Sequence, residues 1–347
     1  MENDPPTGMD SAQFSTLLNS FEIDANFAVF VGASQNFVYR VNHLGARRIA
    51  RVSILRHRTP AEIQGELEWI EFLSEKGIPV CAPQSSASGA KYEEMTIDGR
   101  SYLLTVFEEA AGRKAVRDDL SVDFCRRVGE LIGQMHAAAI EANATGFKVY
   151  RGDWSSSRLL TKDMIETKAP IGDKFRSSVS KLMREISSIP ATSNNYGILH
   201  GDVNINNIHI QDDRIHIFDF DNAEYGYFIQ DLAVMLYDSI YSKVVTHVTP
   251  ENLTSTVKTF WDAMLKGYHG LNPKLLFSAR ELSYFFLLRE AVIYVHYHRI
   301  ISPERWSDPY LLQMRRHVEE RDHPLDFGSL VDLNFESGSK STPGKIG

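Results

Sequence analysis

The residues best able to do chemistry lie between positions 199 and 221. Leu199-His200-Gly201-Asp202-Val203-Asn204-Ile205-Asn206-Asn207 is followed ten residues later by Ile217-Phe218-Asp219-Phe220-Asp221. The stretch sets an Asp, an Asn five residues on, and a second Asp at the end of an apolar run. Phosphoryl transfer needs such a set. One carboxylate orients and deprotonates an attacking hydroxyl, while an amide oxygen and another carboxylate hold Mg2+ on nucleotide phosphates. Asp202 is the candidate catalytic base. Asp219, ending an apolar strand where a carboxylate is costly unless paired or metal-bound, is the candidate principal metal ligand.

Such residues must be carried by a scaffold, and the pattern of the chain changes character once. The first third reads as strands at 28–31, 37–41 and 48–53, with Gly32-Ala33-Ser34 as a small-residue turn. A helix starts at Thr59-Pro60-Ala61-Glu62, with Thr as cap and Pro at the first helical position, and buries Ile63, Leu67, Ile70 and Leu73. Two more strands, 93–97 and 101–107, join through Asp98-Gly99, a hairpin signal. After Ala110-Ala111-Gly112-Arg113 the chain turns helical, at 121–142, 173–186, 231–241, 252–268 and 280–300. The exception is a strand pair, 208–210 and 215–218, with Asp212-Asp213 at its turn. The expected fold class is α+β and bilobal. Residues 1–13 are a disordered N-terminus, 14–109 a nucleotide-binding β-rich N-lobe, 110–330 a catalytic and substrate-binding helical C-lobe, and 331–347 a flexible tail. A nucleotide cleft between the lobes is the expected consequence.

Bulk properties exclude several classes. A formal net charge of -8 argues against a nucleic-acid partner. The two cysteines, Cys81 and Cys125, have no metal-ligand spacing and read as reduced packing residues. No apolar run approaches the ~20 residues that span a bilayer, so no membrane association is expected. The acidic, Pro-rich start lacks a basic segment and an apolar segment, so it is no secretory signal, and a cytoplasmic location is expected. Oligomeric state is left open.

These residues resemble the aminoglycoside phosphotransferase and choline kinase-like family, which shares the protein-kinase fold. The likeness covers roughly residues 15 to 325 and rests on markers in the family's order. They include His200-Gly201-Asp202 with Asn207, Phe218-Asp219, Asp231-Leu232-Ala233, and Gly129, Gly133 and His136 on one helix. Ala50-Arg51-Val52, Glu66-Leu67-Glu68-Trp69, Gly77-Ile78-Pro79-Val80 and Thr105-Val106-Phe107-Glu108 complete the set. The resemblance implies ATP and Mg2+ as cofactors and a small-molecule hydroxyl as acceptor. The five-residue offset from Asp202 picks Asn207 over Asn204 and Asn206 as the loop's metal ligand. His200 then supports the loop and Asp231 braces it from a helix start. On the nucleotide side, Arg51 stands where protein kinases carry Lys, with Glu66 as its expected ion-pair partner and Glu68 next. Gly32, Ser34 and Asn36 form the expected phosphate turn, although it has one glycine rather than three.

Three points stay open at this level. Asp221 could contact a second metal or the substrate, or simply shape a turn. The Tyr150-Arg151-Gly152-Asp153-Trp154 segment and the helix carrying Arg289, Glu290, His296 and His298 could line an acceptor pocket or be plain core. Two alternative functions compete: a Ser/Thr protein kinase and a non-catalytic nucleotide-binding regulator. The eleven residues between Asp219 and Asp231 are few for a protein-kinase activation segment.

Overall fold

The computed structural model describes residues 5–33, 35–55, 58–157, 160–161, 164 and 171–331. Its N-terminal lobe is a six-stranded antiparallel sheet. The order is β1 (Val29–Ala33), β2 (Asn36–His43), β3 (Ala46–Ile54), β6 (Arg100–Glu108) and β4 (Pro83–Gln84), with β5 (Glu93–Ile97) also paired to β6. Strand alternation gives the sheet two different faces. Tyr39, Val41, Ala50, Val52, Leu104 and Val106 pack beneath helix α1 (Ser11–Asn19), whose Phe14, Leu17 and Leu18 cover them. Arg51, Leu103, Thr105 and Phe107 are buried on the other face, toward helix α2 (Pro60–Glu75). That helix starts as expected: the Thr59 side chain accepts from the Glu62 N–H, and the Glu62 carboxylate accepts from the Thr59 N–H.

The N-terminus departs from expectation. Residues 5–13, read as disordered, are placed against the sheet: Met9 is buried and Asp10 with Gln13 forms a capping box that starts α1. The stripe Phe14, Leu17, Leu18 is short, and it becomes a helix face only because the sheet supplies the apolar surface.

After the hinge the chain is mostly helical. A short strand β7 (Arg113–Lys114) leads into α3 (Val122–Thr145) and α4 (Asp173–Ser187). Two small strand pairs follow: β8 (Tyr196–Ile198) with β11 (Tyr225–Tyr227), and the hairpin β9 (Ile208–Gln211) and β10 (Arg214–Ile217), with β7 on the free side of β9. Helix α5 (Ile229–Met235) continues as a π-helical turn, Leu236–Tyr241. The remainder is α6 (Pro250–His269), α7 (Ala279–Ile300), α8 (Pro309–Glu320) and α9 (Phe327–Val331). Helices α3 and α6 pack so closely that a Cβ on Gly129 would overlap the Met264 carbonyl. The glycine therefore sets the helix separation, which brings Tyr268 of α6 to His136 of α3.

Near the C-terminal end, the buried Glu290 of α7 gathers two histidines. His317 Nδ1 lies 3.0 Å from Glu290 Oε1. His323 Nδ1 accepts the Leu325 N–H at 3.1 Å, so its proton sits on Nε2, 3.7 Å from the same carboxylate oxygen. His317 is thus hydrogen-bonded to the Glu290 carboxylate and His323 packs beside it, so the end of α8 and the chain after it meet α7.

Candidate active site

The loop after β8 is held by one carboxylate. Asp231, in the first turn of α5 and fully buried, accepts the His200 N–H at 3.0 Å and the Gly201 N–H at 2.8 Å. His136 Nε2 meets it from α3 at 3.1 Å. Burial alone would raise this carboxyl. The His136 donor and the backbone N–H donors outweigh it and hold the group below the usual carboxylate range. Gly201 has φ of +78°, and a Cβ there would overlap the Asn222 carbonyl oxygen, so only glycine completes the turn. His200 Nδ1 accepts the Asp202 N–H at 3.2 Å, which places its proton on Nε2, 3.1 Å from the Phe218 carbonyl. The ring clamps the loop to the hairpin.

The three oxygen-bearing residues of the sequence pattern are brought to this clamp. Asn207 Nδ2 donates to the Asp202 carbonyl at 3.0 Å and to its Oδ2 at 3.3 Å. The Asn207 carbonyl accepts the Phe218 N–H at 3.1 Å, so Asn207 lies beside the residue preceding Asp219. Asp219 takes the left-handed conformation (φ +68°), which turns it out of the strand, and its side chain caps nothing. It opens toward solvent although dense protein surrounds it. Desolvation raises its carboxyl above the usual range, against the pull of Arg51 and with the push of Asp221. Among the described residues the Asp219 carboxylate has no bonded donor, and with the Asn207 amide oxygen it makes a hard-oxygen donor set that fits a divalent cation.

Across the cleft, Arg51 and Glu66 form a bidentate pair at 2.8 and 2.9 Å, with both groups buried. Against the cost of burial, Glu66 keeps the guanidinium firmly charged, aided by Asp221 and Asp219. Gly32, Val38, Arg51 and Thr105 stand in one row across four strands. Asn36 opens β2, opposite Ser53. Ser34 lies outside the described residues. Where the lobes meet, a cleft of about 520 Å3 runs between Val31, Arg40, Glu109, Gly112, Lys114 and His209, against the hinge.

The open readings resolve into contacts. Arg151 donates to the carbonyls of Glu62, Asp221 and Ala223, and burial lowers its pKa. Trp154 is buried core. The 150–154 segment therefore ties the start of α2 to the turn after Asp219. Asp221 faces Arg58, whose Nε is 3.6 Å from its carboxylate. Arg58 and Asp238 were not singled out from sequence. Asp238 sits in the π-helical turn and binds Arg289 of α7 through both carboxylate oxygens, and Arg289 Nη2 also reaches Asp202 Oδ1 at 2.6 Å. The available signal was slight: Asp238 falls two helical turns after Asp231.

With this geometry in view, comparison with known proteins is direct. Residues 28–270 match the phosphotransferase enzyme family, and the chain belongs to it. It is a kinase-type phosphotransferase with a bilobal protein-kinase-like fold. Amicoumacin kinase of Bacillus subtilis (strain 168) is 26% identical over 313 residues, covering 87% of this chain and 90% of that protein. Among solved structures, an amicoumacin kinase in complex with AMP-PNP, Ca2+ and Ami superposes with a TM-score of 0.83 at 24% identity, covering 93% of this chain and 97% of that one. A microcompartment-associated aminopropanol kinase gives 0.70 at 17% identity, covering 92% and 100%. Among the described residues no helix is long and apolar enough to cross a membrane.

Proposed function

We propose that this protein transfers the γ-phosphate of ATP, with Mg2+, to a hydroxyl group of a small molecule. The observation that carries this reading is the single hairpin unit in which Asn207 bonds Asp202 while its own carbonyl holds the strand end before Asp219. Asp202 accepts the proton of the acceptor hydroxyl and holds its oxygen in line with the phosphoryl group. Asn207 and Asp219 would hold the cation, which supplies charge neutralisation on the β- and γ-phosphate oxygens. Arg51, fixed by Glu66, faces the phosphates from the N-lobe, and the turn bearing Gly32, Ser34 and Asn36 covers them.

Two similar proteins are kinases named for amicoumacin and aminopropanol, and aminopropanol by its name carries an amine and a hydroxyl. These two compounds are the first acceptors to try. A protein-kinase activity is disfavoured by the segment after Asp219, which is taken up by a 3-10 turn and β11. Incubation with ATP and Mg2+, separately with amicoumacin, 1-aminopropan-2-ol and a generic protein acceptor, tests the reading. Phosphorylation of a small hydroxyl compound and not of the protein is expected. ADP release unaffected by any member of a broad hydroxyl-compound panel would defeat it.

A further inference from the structure

The catalytic loop His200-Gly201-Asp202-Val203-Asn204-Ile205-Asn206-Asn207 contains no Lys or Arg. A cation nonetheless touches its candidate base, and it comes from far along the chain. Arg289 of α7 places Nη2 2.6 Å from Asp202 Oδ1, while Asn207 Nδ2 is 3.3 Å from Asp202 Oδ2. Each oxygen of the base therefore has its own donor. Arg289 does not swing freely. Its Nε lies 3.2 and 3.1 Å from the two Asp238 oxygens, and Nη2 bonds Asp238 as well. Asp238 is presented by the π-helical turn Leu236–Tyr241, a rare geometry that recurs at functional sites. One guanidinium thus bridges two carboxylates at the acceptor side of the cleft.

We infer that Arg289 is a positioning residue for phosphoryl transfer: anchored by Asp238, it fixes the Asp202 carboxylate in the orientation that receives the acceptor hydroxyl. Lys could not do the same. The planar fork lets Nε and Nη2 hold Asp238 while Nη2 also holds Asp202, whereas an ammonium is a single point charge. The inference rests on the phosphotransferase reading above and adds the residue pair that sets the base.

A double-mutant cycle on the full chain tests it. With ATP, Mg2+ and 1-aminopropan-2-ol or amicoumacin as acceptor, Arg289→Ala should lower kcat about 100-fold, the scale of a base misplaced by an ångström. KM for ATP should stay within about threefold, because the nucleotide side is untouched. In an Asp202→Ala background the same substitution should cost nothing further. Arg289→Lys should recover only part of the loss, and added guanidinium should partly rescue Arg289→Ala. Should Arg289→Ala fail to fold with Asp238 left unpaired, Arg289→Met combined with Asp238→Leu removes both charges, and the same kcat loss is expected. A folded variant with wild-type kcat, or an equal loss with and without Asp202, overturns the inference. A wild-type protein that phosphorylates no acceptor defeats the functional reading instead. The cycle is then read on slow ATP hydrolysis, where wild-type rates in Arg289→Ala overturn the inference separately.

Discussion

Two arginines stand in opposite lobes, Arg51 buried and Arg289 half-buried, and their surroundings differ. Among the described residues Arg51 has one carboxylate partner, Glu66, fifteen residues away in sequence, it lies over the Phe107 ring, and its Nε has no hydrogen-bond partner. Arg289 has two carboxylate partners, 51 and 87 residues away, and both its Nε and Nη2 are engaged by them. The first pair balances its own charge. The second binds protein groups only and leaves the acceptor side net negative. In the proposed function the first arginine would serve the phosphates and the second would place the base.

The sharpest way to break this division is to remove the base. Asp202→Ala should lower kcat by about 10³- to 10⁴-fold, the upper range for general-base catalysis together with lost orientation. Nucleotide affinity, measured by calorimetry with a non-hydrolysable ATP analogue, should change little. Loss of nucleotide binding with intact folding would mean that Asp202 belongs to the phosphate side, and the two-lobe contrast would fail.

The next test concerns the other arginine. Arg51→Ala should raise KM for ATP by about tenfold or more, since charge-assisted contacts to phosphate are worth some 1.5–3 kcal/mol. It should also destabilise the fold by about 3–5 kcal/mol, because Glu66 is left buried and alone. The two effects separate in Arg51→Met combined with Glu66→Leu. Chemical denaturation should show most of the stability restored, while the KM defect persists. A double variant with normal KM would leave Arg51 a purely structural residue.

The same contrast explains what could be read from sequence. Asp202, Asn207 and Asp219 were legible because they lie on one loop and hairpin, where spacing fixes geometry. The Arg51–Glu66 pair was legible through the resemblance, which places a cation on this strand and its carboxylate partner on the following helix, and the structure pairs the two. Asp238 was not legible. A regular helix was expected over 231–241, and the π-helical turn changes the direction in which its residues project. Nor could the Arg151 brace be read, since its three acceptors are backbone carbonyls that carry no side-chain signature. The first helix was missed because its apolar face is short and needs the sheet beneath it.

The smallest effect contrasts a buried carboxyl that has a guanidinium fork with one that lacks it. Glu66 has Arg51. Among the described residues Glu224 accepts the Gln230 amide at 2.7 Å, with Arg58 and Arg151 acting at a distance. Burial pushes its carboxyl up to about 7, and the amide donor and the two arginines only partly oppose the rise. An unfolded glutamate titrates near 4.5, so the folded state binds this proton more tightly. The resulting stability is complete below about pH 4.5 and is lost as pH rises through about 7. Glu224→Gln mimics the protonated form. It should remove that slope, so that stabilities of variant and wild type agree near pH 4 and diverge toward pH 8 in the variant's favour, by on the order of 3 kcal/mol. Parallel pH profiles would show that Glu224 is already ionised in the folded protein. Arg58 and Arg151 would then act as charge partners like Arg51, and the distinction between forked and unforked carboxyls would not hold at this turn.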